Sequence, residues 1–165
     1  MRHILRQREW RSDHWRYLGE DFLPGEGVVV PFAELARERE RWWAWDGRLG
    51  VRLAPLDRVE DLAQDLPRLD LVAVEFPSPG EGRGYSQGRL LRERYGFRGE
   101  LRAVGAAVKQ DLVFLLGRCG FDAIELASGE DVAAARRALT RYPVGYQPGH
   151  RPLPAGRQRF YAVKA

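Results

Sequence analysis

From residue 49 onward, the chain alternates short apolar runs with stretches of helical periodicity, and this alternation limits the possible folds more than any other feature. Strands are predicted at residues 50–54, 71–76, 101–104 and 123–126, and helices at 59–66, 86–95, 108–119 and 130–142. Parallel strands need long crossover connections, usually helices, and those crossovers are right-handed. The pattern therefore predicts an α/β domain over residues 28–148, with a mostly parallel sheet of consecutive βα units.

One charged residue lies inside each of these four apolar strands, and the signs alternate along the chain. The four residues are Arg52, Glu75, Arg102 and Glu125. A doubly wound open sheet would bury each of them under a helix, where an unpaired ion is costly. If the strands instead lie in sequential order with all helices outside, the four side chains share the inner face and pair as neighbours. This charge ladder favours an incomplete TIM-barrel-like sheet, with the doubly wound sheet as the alternative. If the four charged residues instead lie at strand ends and face water, they do not distinguish between these two strand orders.

The two ends of the chain differ from this regular part. Residues 3–18 alternate loosely around Ser12 and Asp13, which predicts an N-terminal β-hairpin with its turn there and a linker that ends at residue 27. Residues 149–165 are rich in Pro, Gly and Arg and are predicted to form an extended tail. A partial barrel leaves its inner face open, so the N-terminal segment, the tail or a second copy must cover it. We expect a homodimer.

Composition excludes several classes of protein. No apolar run approaches the ~20 residues that span a bilayer, and the charged N-terminus lacks a signal core, so we expect a cytoplasmic protein with no membrane partner. The net charge of +4 comes from basic residues, nearly all arginine, that are interleaved with 23 acidic residues, and this pattern argues against nucleic acid as a partner. The chain has one cysteine, three scattered histidines and neither GxGxxG nor CxxC, so no metal site and no cofactor are expected.

The loop after the second predicted strand is rich in glycine. Gly80, Gly82 and Gly84 allow backbone conformations with φ > 0 and let main-chain N–H groups approach a ligand, and a helix is predicted to begin near an N-cap at Ser86. Free N–H groups at a helix start, with arginines beside them, suit an anion. The predicted anion-binding residues are Arg83, Gly84, Tyr85, Ser86 and Arg89. The alternative is an ordinary βα loop with solvated arginines.

Two carboxylates are candidate catalytic residues. Ligands of parallel sheets bind at the carboxyl ends of the strands, where Glu75 and Glu125 lie. Either residue is a possible acid or base if partial burial raises its pKa. The competing interpretation is that they are structural partners of Arg52 and Arg102, so the sequence leaves open whether the chain is an enzyme.

Three segments resemble a known family. They are EFP at residues 75–77, GRGYSQGRLLRERYGFRGELRAVG at 82–105 and RCGFDAIEL at 118–126. They are similar to an uncharacterised bacterial family whose members are described as probable oxidoreductases involved in sulfite reduction, encoded beside assimilatory sulfite reductase. The resemblance extends over about residues 28–148. It implies a pathway and sulfite reductase as a partner, and it carries no catalytic residue.

Two functions are consistent with these observations. The first is an accessory protein of assimilatory sulfite reduction that binds sulfite reductase or a small anion, with no redox cofactor of its own. The second is a small enzyme that holds a phosphate or sulfate group at the glycine-rich loop, residues 80–86, while a carboxylate such as Glu75 transfers a proton.

Overall fold

The computed structural model describes residues 3–6 and 9–141. Its strands are β1 His3–Arg6, β2 Glu9–Ser12, β3 Trp15–Tyr17, β4 Gly27–Pro31, β5 Leu49–Leu53, β6 Leu71–Glu75, β7 Glu100–Val104 and β8 Ala123–Ile124. Its α-helices are α1 Phe32–Arg37, α2 Arg39–Trp43, α3 Val59–Leu62, α4 Arg83–Arg89, α5 Val113–Arg118 and α6 Val132–Arg141. A 3₁₀ turn, Leu66–Arg68, follows α3, and a π-helical segment, Leu90–Arg94, continues α4.

The strands form one sheet in the order β2-β1-β8-β7-β6-β5-β4-β3. Strands β3 to β8 are neighbours in chain order, and every pair among them is parallel. The hairpin of β1 and β2 adds antiparallel strands beside β8. The sequential order and the N-terminal hairpin are confirmed. The doubly wound alternative is wrong, because the strand order has no switch point.

Alternate side chains of the strands enter two separate cores. Residues such as Val51, Leu53 and Val74 join the larger core, which includes the buried helix residues Leu35 and Leu116. The helices therefore pack on this outer face. The opposite, inner face carries a smaller cluster: Trp15, Val29, Leu71, Ala73 and Val104, with Tyr17 packed against it. Since Trp15 and Tyr17 belong to β3, the N-terminal segment covers part of the inner face.

The link between β2 and β3 shows how strongly the sheet curls. These strands stand at opposite ends of the sheet, yet only Asp13 and His14 separate them. Three Cα steps span at most about 11 Å, whereas eight strands laid flat would put the edges about 34 Å apart. The sheet is therefore curled into a half-barrel. The predicted turn at Ser12 and Asp13 is wrong, because Ser12 ends β2 and Asp13 begins the connection across to β3.

A buried ion pair occupies the inside of the curl. Both Arg102 terminal nitrogens donate to Asp13, Nη1 to Oδ2 at 2.8 Å and Nη2 to Oδ1 at 2.9 Å, and neither side chain is exposed to solvent. Arg102 Nε and Nη2 also donate to Glu100 Oε1, at 3.0 and 2.7 Å. Arg6 on β1 pairs with the other oxygen of Glu100 at 3.2 Å. Asp13 thus ties the crossing segment to the middle of the sheet.

The helices are more broken than predicted. The segment 32–43 is divided into α1 and α2 at Glu38, whose φ of −123° and ψ of 44° are not helical. The helix predicted to begin at Ser86 begins at Arg83 and changes to π-helix after Arg89. The proposed division into residues 1–27, 28–148 and 149–165 stays a prediction. Strands β1 to β3 share the sheet of the α/β part, and residues 149–165 lie outside the described residues.

The buried ion pair gives a first prediction. Asp13→Ala leaves the Arg102 guanidinium buried without its bidentate partner, so we expect the free energy of unfolding to fall by about 3–5 kcal/mol. Asp13→Asn keeps a hydrogen-bond acceptor and should lose less. Urea denaturation at pH 7 measures both, with the exposed Asp21→Ala as a control. A loss from Asp13→Ala no larger than that from Asp21→Ala would contradict the closing role of this pair.

Candidate functional site

Four polar side chains meet on the inner face at the carboxyl ends of the strands. We call this cluster the mouth: Tyr17, Arg52, Glu75 and Glu125. Arg52 Nε lies 4.0 Å from Glu75 Oε2, and the two side chains are 40% and 31% exposed. They come from neighbouring strands, β5 and β6, as the charge ladder predicts for sequential order. The distance is that of an ion pair without a direct hydrogen bond.

Tyr17 joins the edge of the sheet to its middle. Its hydroxyl donates to Glu125 Oε2 at 3.1 Å, and it is also hydrogen-bonded to Arg102. Burial raises the pKa of Tyr17, and the nearby Glu125 raises it further against the lowering influence of Arg102. Tyr17 therefore stays a neutral donor over the physiological range. Arg102 and Glu125, adjacent members of the charge ladder, are connected through this hydroxyl.

Arg102 lies on the inner face of β7 and is hydrogen-bonded to Tyr17 of the mouth. Burial by itself would lower the pKa of Arg102, but its hydrogen bonds to Asp13 and the negative charge of Glu100 outweigh burial and raise it. Its guanidinium is therefore a permanent charge in the interior. The side chains of Arg102 and Asp13 have no exposed surface, whereas Arg52 and Glu75 of the mouth are accessible to solvent.

The charges of the mouth limit its chemistry. Arg52 is the cation of this cluster, and Glu75 and Glu125 are its two carboxylates, so the cluster is net negative. It suits proton transfer or a hydrogen-bond donor better than a small anion. Glu75 ends β6 and Glu125 directly follows β8, each beside a partner that neutralises or hydrogen-bonds it, and a catalytic role for either stays a prediction.

The glycine-rich loop does not use the positive φ that its glycines allow. Positive φ occurs at other glycines, among them Gly96 and Gly105, and not at Gly80, Gly82 or Gly84. Gly84 is required by close packing rather than by its backbone conformation. A Cβ on Gly84 would lie 2.6 Å from the ring of buried Phe76, so helix α4 can approach β6 closely only without that atom.

The predicted anion-binding residues face different surroundings. The Arg83 N–H donates to Glu81 Oε1 at 3.2 Å, and the guanidinium lies 3.4 Å from Glu81 Oε2, so a carboxylate of the chain occupies this helix start. Ser86 is exposed within α4 and is not its N-cap, which is Gly82. Arg89 is exposed and pairs with Glu93 at 3.2 Å.

Tyr85 and Cys119 belong to the packed outer face. The Tyr85 ring contacts Phe76 edge-on with centroids 5.0 Å apart, and burial raises the pKa of its hydroxyl. Burial also raises the pKa of the Cys119 thiol, which keeps it protonated and unreactive. Within residues 3–6 and 9–141, no cluster of three or more His, Cys, Asp or Glu side chains is suited to a metal. In the same residues, no helix has the length and apolarity to cross a bilayer.

Sequence reasoning missed a clamp at the opposite, amino ends of the strands. Arg92 donates from Nε to the Gly120 carbonyl and from Nη1 to the Gly99 carbonyl, both at 3.0 Å, and it forms a salt bridge with Asp122. Asp122 Oδ2 also accepts from the Leu101 N–H at 3.1 Å. Burial lowers the pKa of Arg92. Sequence reasoning also missed Asp13 and Tyr17, since no local pattern marks a partner so far along the chain.

The chain matches a known family over most of the α/β part. The profile of a bacterial protein family of unknown function, DUF934, matches residues 50–155. Among curated proteins, no relative matches the chain. The matched region begins in β5 and contains Arg52, Glu75, Arg102 and Glu125. It does not contain Tyr17 or the other N-terminal residues that cover the inner face.

The packing of α4 gives a second prediction. Gly84→Ala introduces a methyl group where the Phe76 ring lies, so we expect a loss of about 1–3 kcal/mol in the free energy of unfolding despite the better helix propensity of alanine. Gly80 has no atom within 4 Å of an added Cβ, so Gly80→Ala should change stability by less than about 0.5 kcal/mol. Urea denaturation compares the two. Equal effects would contradict a packing role for Gly84.

Tyr17 gives a third prediction, for alkaline pH. An unfolded tyrosine ionises near a pKa of about 10, whereas the raised pKa keeps Tyr17 protonated in the folded protein. Wild type should therefore lose stability relative to Tyr17→Phe as pH rises above about 10, by up to about 1.4 kcal/mol per pH unit. Urea denaturation of both proteins between pH 8 and 11 measures the difference. A difference that does not change with pH would show that the hydroxyl is not buried.

Proposed function

Since the chain belongs to DUF934, a bacterial family of unknown function, we propose from its site and its motifs that it is an accessory protein of assimilatory sulfite reduction. In this role it binds sulfite reductase through the carboxyl-end rim of the half-barrel. The pathway comes from the resemblance carried by the segments between residues 75 and 126. The mode of action comes from the geometry of the inner face.

The filled interior is the observation that carries the proposal. In a barrel enzyme the substrate enters at the carboxyl ends of the strands, between side chains of the inner face. Here Arg102, with no exposed surface, and Asp13 occupy that interior, and Tyr17 spans the space above them to reach Glu125. The exposed residues at this end lie on the loops that follow β5 and β6, and such a surface suits contact with another protein.

The rim presents an apolar side chain on a firmly held loop. We define the rim surface as residues 54–57 and 77–83. Gln87 Nε2 donates to the carbonyls of Ala54 and Asp57 at 2.9 and 2.8 Å, and Asp57 Oδ2 accepts from the Ala54 N–H at 2.7 Å. Between them, Leu56 is 78% exposed. A preorganised apolar side chain loses little entropy when a partner covers it.

The other candidates have less support. A small anion is disfavoured at the mouth by the carboxylates of Glu75 and Glu125. At the glycine-rich loop, Glu81 already takes the N–H and the guanidinium of Arg83. The enzyme alternative, which needs a phosphate or sulfate group at that loop, meets the same obstacle. Binding of sulfite reductase needs neither site to hold an anion.

A matched pair of leucines tests the proposal. Tagged wild type and Leu23→Asp, which alters another exposed leucine at 70% exposure, should recover sulfite reductase from cells grown on sulfate. Leu56→Asp places a charge in the contact, so we expect recovery to fall at least about tenfold, which corresponds to 1.4 kcal/mol. Affinity measurement with the purified reductase gives the same comparison without other cell components.

Two results would count against this function. If wild type recovers no sulfite reductase and a deletion strain grows normally on sulfate and sulfite, the accessory role is rejected. If Leu56→Asp and Leu23→Asp recover it equally, the partner is retained but the rim surface is not its binding site.

A further inference from the structure

The sheet has two edges, and one of them is blocked by the chain itself. At β3, the Trp15 N–H donates to Asp13 Oδ1 at 3.2 Å and the Tyr17 N–H donates to Glu20 Oε2 at 3.0 Å. The Leu18 N–H, which points the other way, donates to Val29 of β4. The outward N–H groups of β3 are therefore occupied by carboxylates, and a further strand cannot use them.

At the other edge, no further strand lies beside β2 within the part of the chain that the structure describes. Among the described strands it pairs with β1 alone, and it stands at the end of the sheet order. Glu9, Trp10 and Arg11 are exposed, and the Trp10 ring stacks on His3 rather than entering either core. An exposed edge strand presents unpaired backbone groups that another strand can use.

The sequence of β2 is complementary to itself. Alternate residues share a face of a strand, and Arg11 Nη2 indeed lies 2.6 Å from Glu9 Oε2. If a second β2 pairs antiparallel with the centre at Trp10, Glu9 of each copy stands opposite Arg11 of the other. Centring on Glu9 or on Arg11 would instead oppose like charges, which destabilises a sheet. One antiparallel register is therefore preferred.

From the β2 edge and this register we propose that a second copy of the chain pairs with β2. The two copies meet about a twofold axis at Trp10, and their half-barrels form one continuous sheet. A twofold axis repeats each Glu9 and Arg11 contact, so one interface holds two cross-strand ion pairs. The contact is short, since β2 has four residues, so the dimer forms and dissociates with concentration. This inference is independent of the proposed function.

Charge variants test the register. Glu9→Arg opposes two pairs of arginines and Arg11→Glu opposes two pairs of glutamates, so each variant should dimerise at least tenfold more weakly than wild type. An equimolar mixture of the two variants restores both opposite-charge contacts and should form a heterodimer. Sedimentation velocity over a concentration series measures all three. Arg58→Glu and Glu60→Arg, which alter an exposed pair 3.9 Å apart, are the matched controls.

A cross-link tests the axis. Directly opposed residues of antiparallel strands have Cα atoms about 4.5–5.5 Å apart, within the range of a disulfide. Trp10→Cys should therefore form a linked dimer under mild oxidation, whereas wild type, whose single Cys119 is buried, should not. A wild type that stays monomeric at millimolar concentration overturns the proposal. So does a dimer that survives both single charge variants, because its interface would lie elsewhere.

Discussion

The bidentate contact between Arg102 and Asp13 is the interaction on which this architecture depends. The curled sheet places the charged side chain of Arg102 in a small interior, where an isolated guanidinium would be strongly destabilising. Asp13 and Glu100 accept from Arg102, Tyr17 is hydrogen-bonded to it, and Arg6 balances the second oxygen of Glu100. The partners come from β1, β3, β7 and the crossing segment, so satisfying one buried cation fixes how far the sheet curls.

The fold was predictable from the sequence to the extent that it depends on local patterns. The alternation of strands and helices predicts the α/β class. The single charge in each strand predicts the sequential strand order, because only that order lets Arg52 and Glu75 pair on one face. The partner of Arg102 could not be predicted, since Asp13 lies 89 residues away and no periodicity connects them. The packing role of Gly84 could not be predicted either. A glycine that is required because it lacks a Cβ looks the same in sequence as one that is required for positive φ.

The segments that carry the family resemblance mostly build the scaffold. Arg92 binds the carbonyls of Gly99 and Gly120, which lie beside the starts of β7 and β8, and a Cβ on Gly88 would lie 2.6 Å from the ring of Phe121. These contacts fix α4 against the sheet at the end opposite the mouth. A sequence resemblance concentrated in such residues is strong evidence of a shared fold. It contains little information about the ligand, although Glu75 and Glu125 of the mouth lie within those segments.

The N-terminal residues decide what the inner face of the sheet can do. The family match begins at residue 50, so Asp13 and Tyr17 lie outside it although they hold Arg102 and Glu125. Without them, the matched strands would present two arginines, Arg52 and Arg102, and three glutamates, Glu75, Glu100 and Glu125, on an open concave surface. With them, Arg102 is neutralised and Glu125 is engaged by a hydroxyl. The N-terminal segment thus fills the inner side of the sheet with its own side chains, and both proposed contact surfaces, the rim surface and the β2 edge, lie outside that interior.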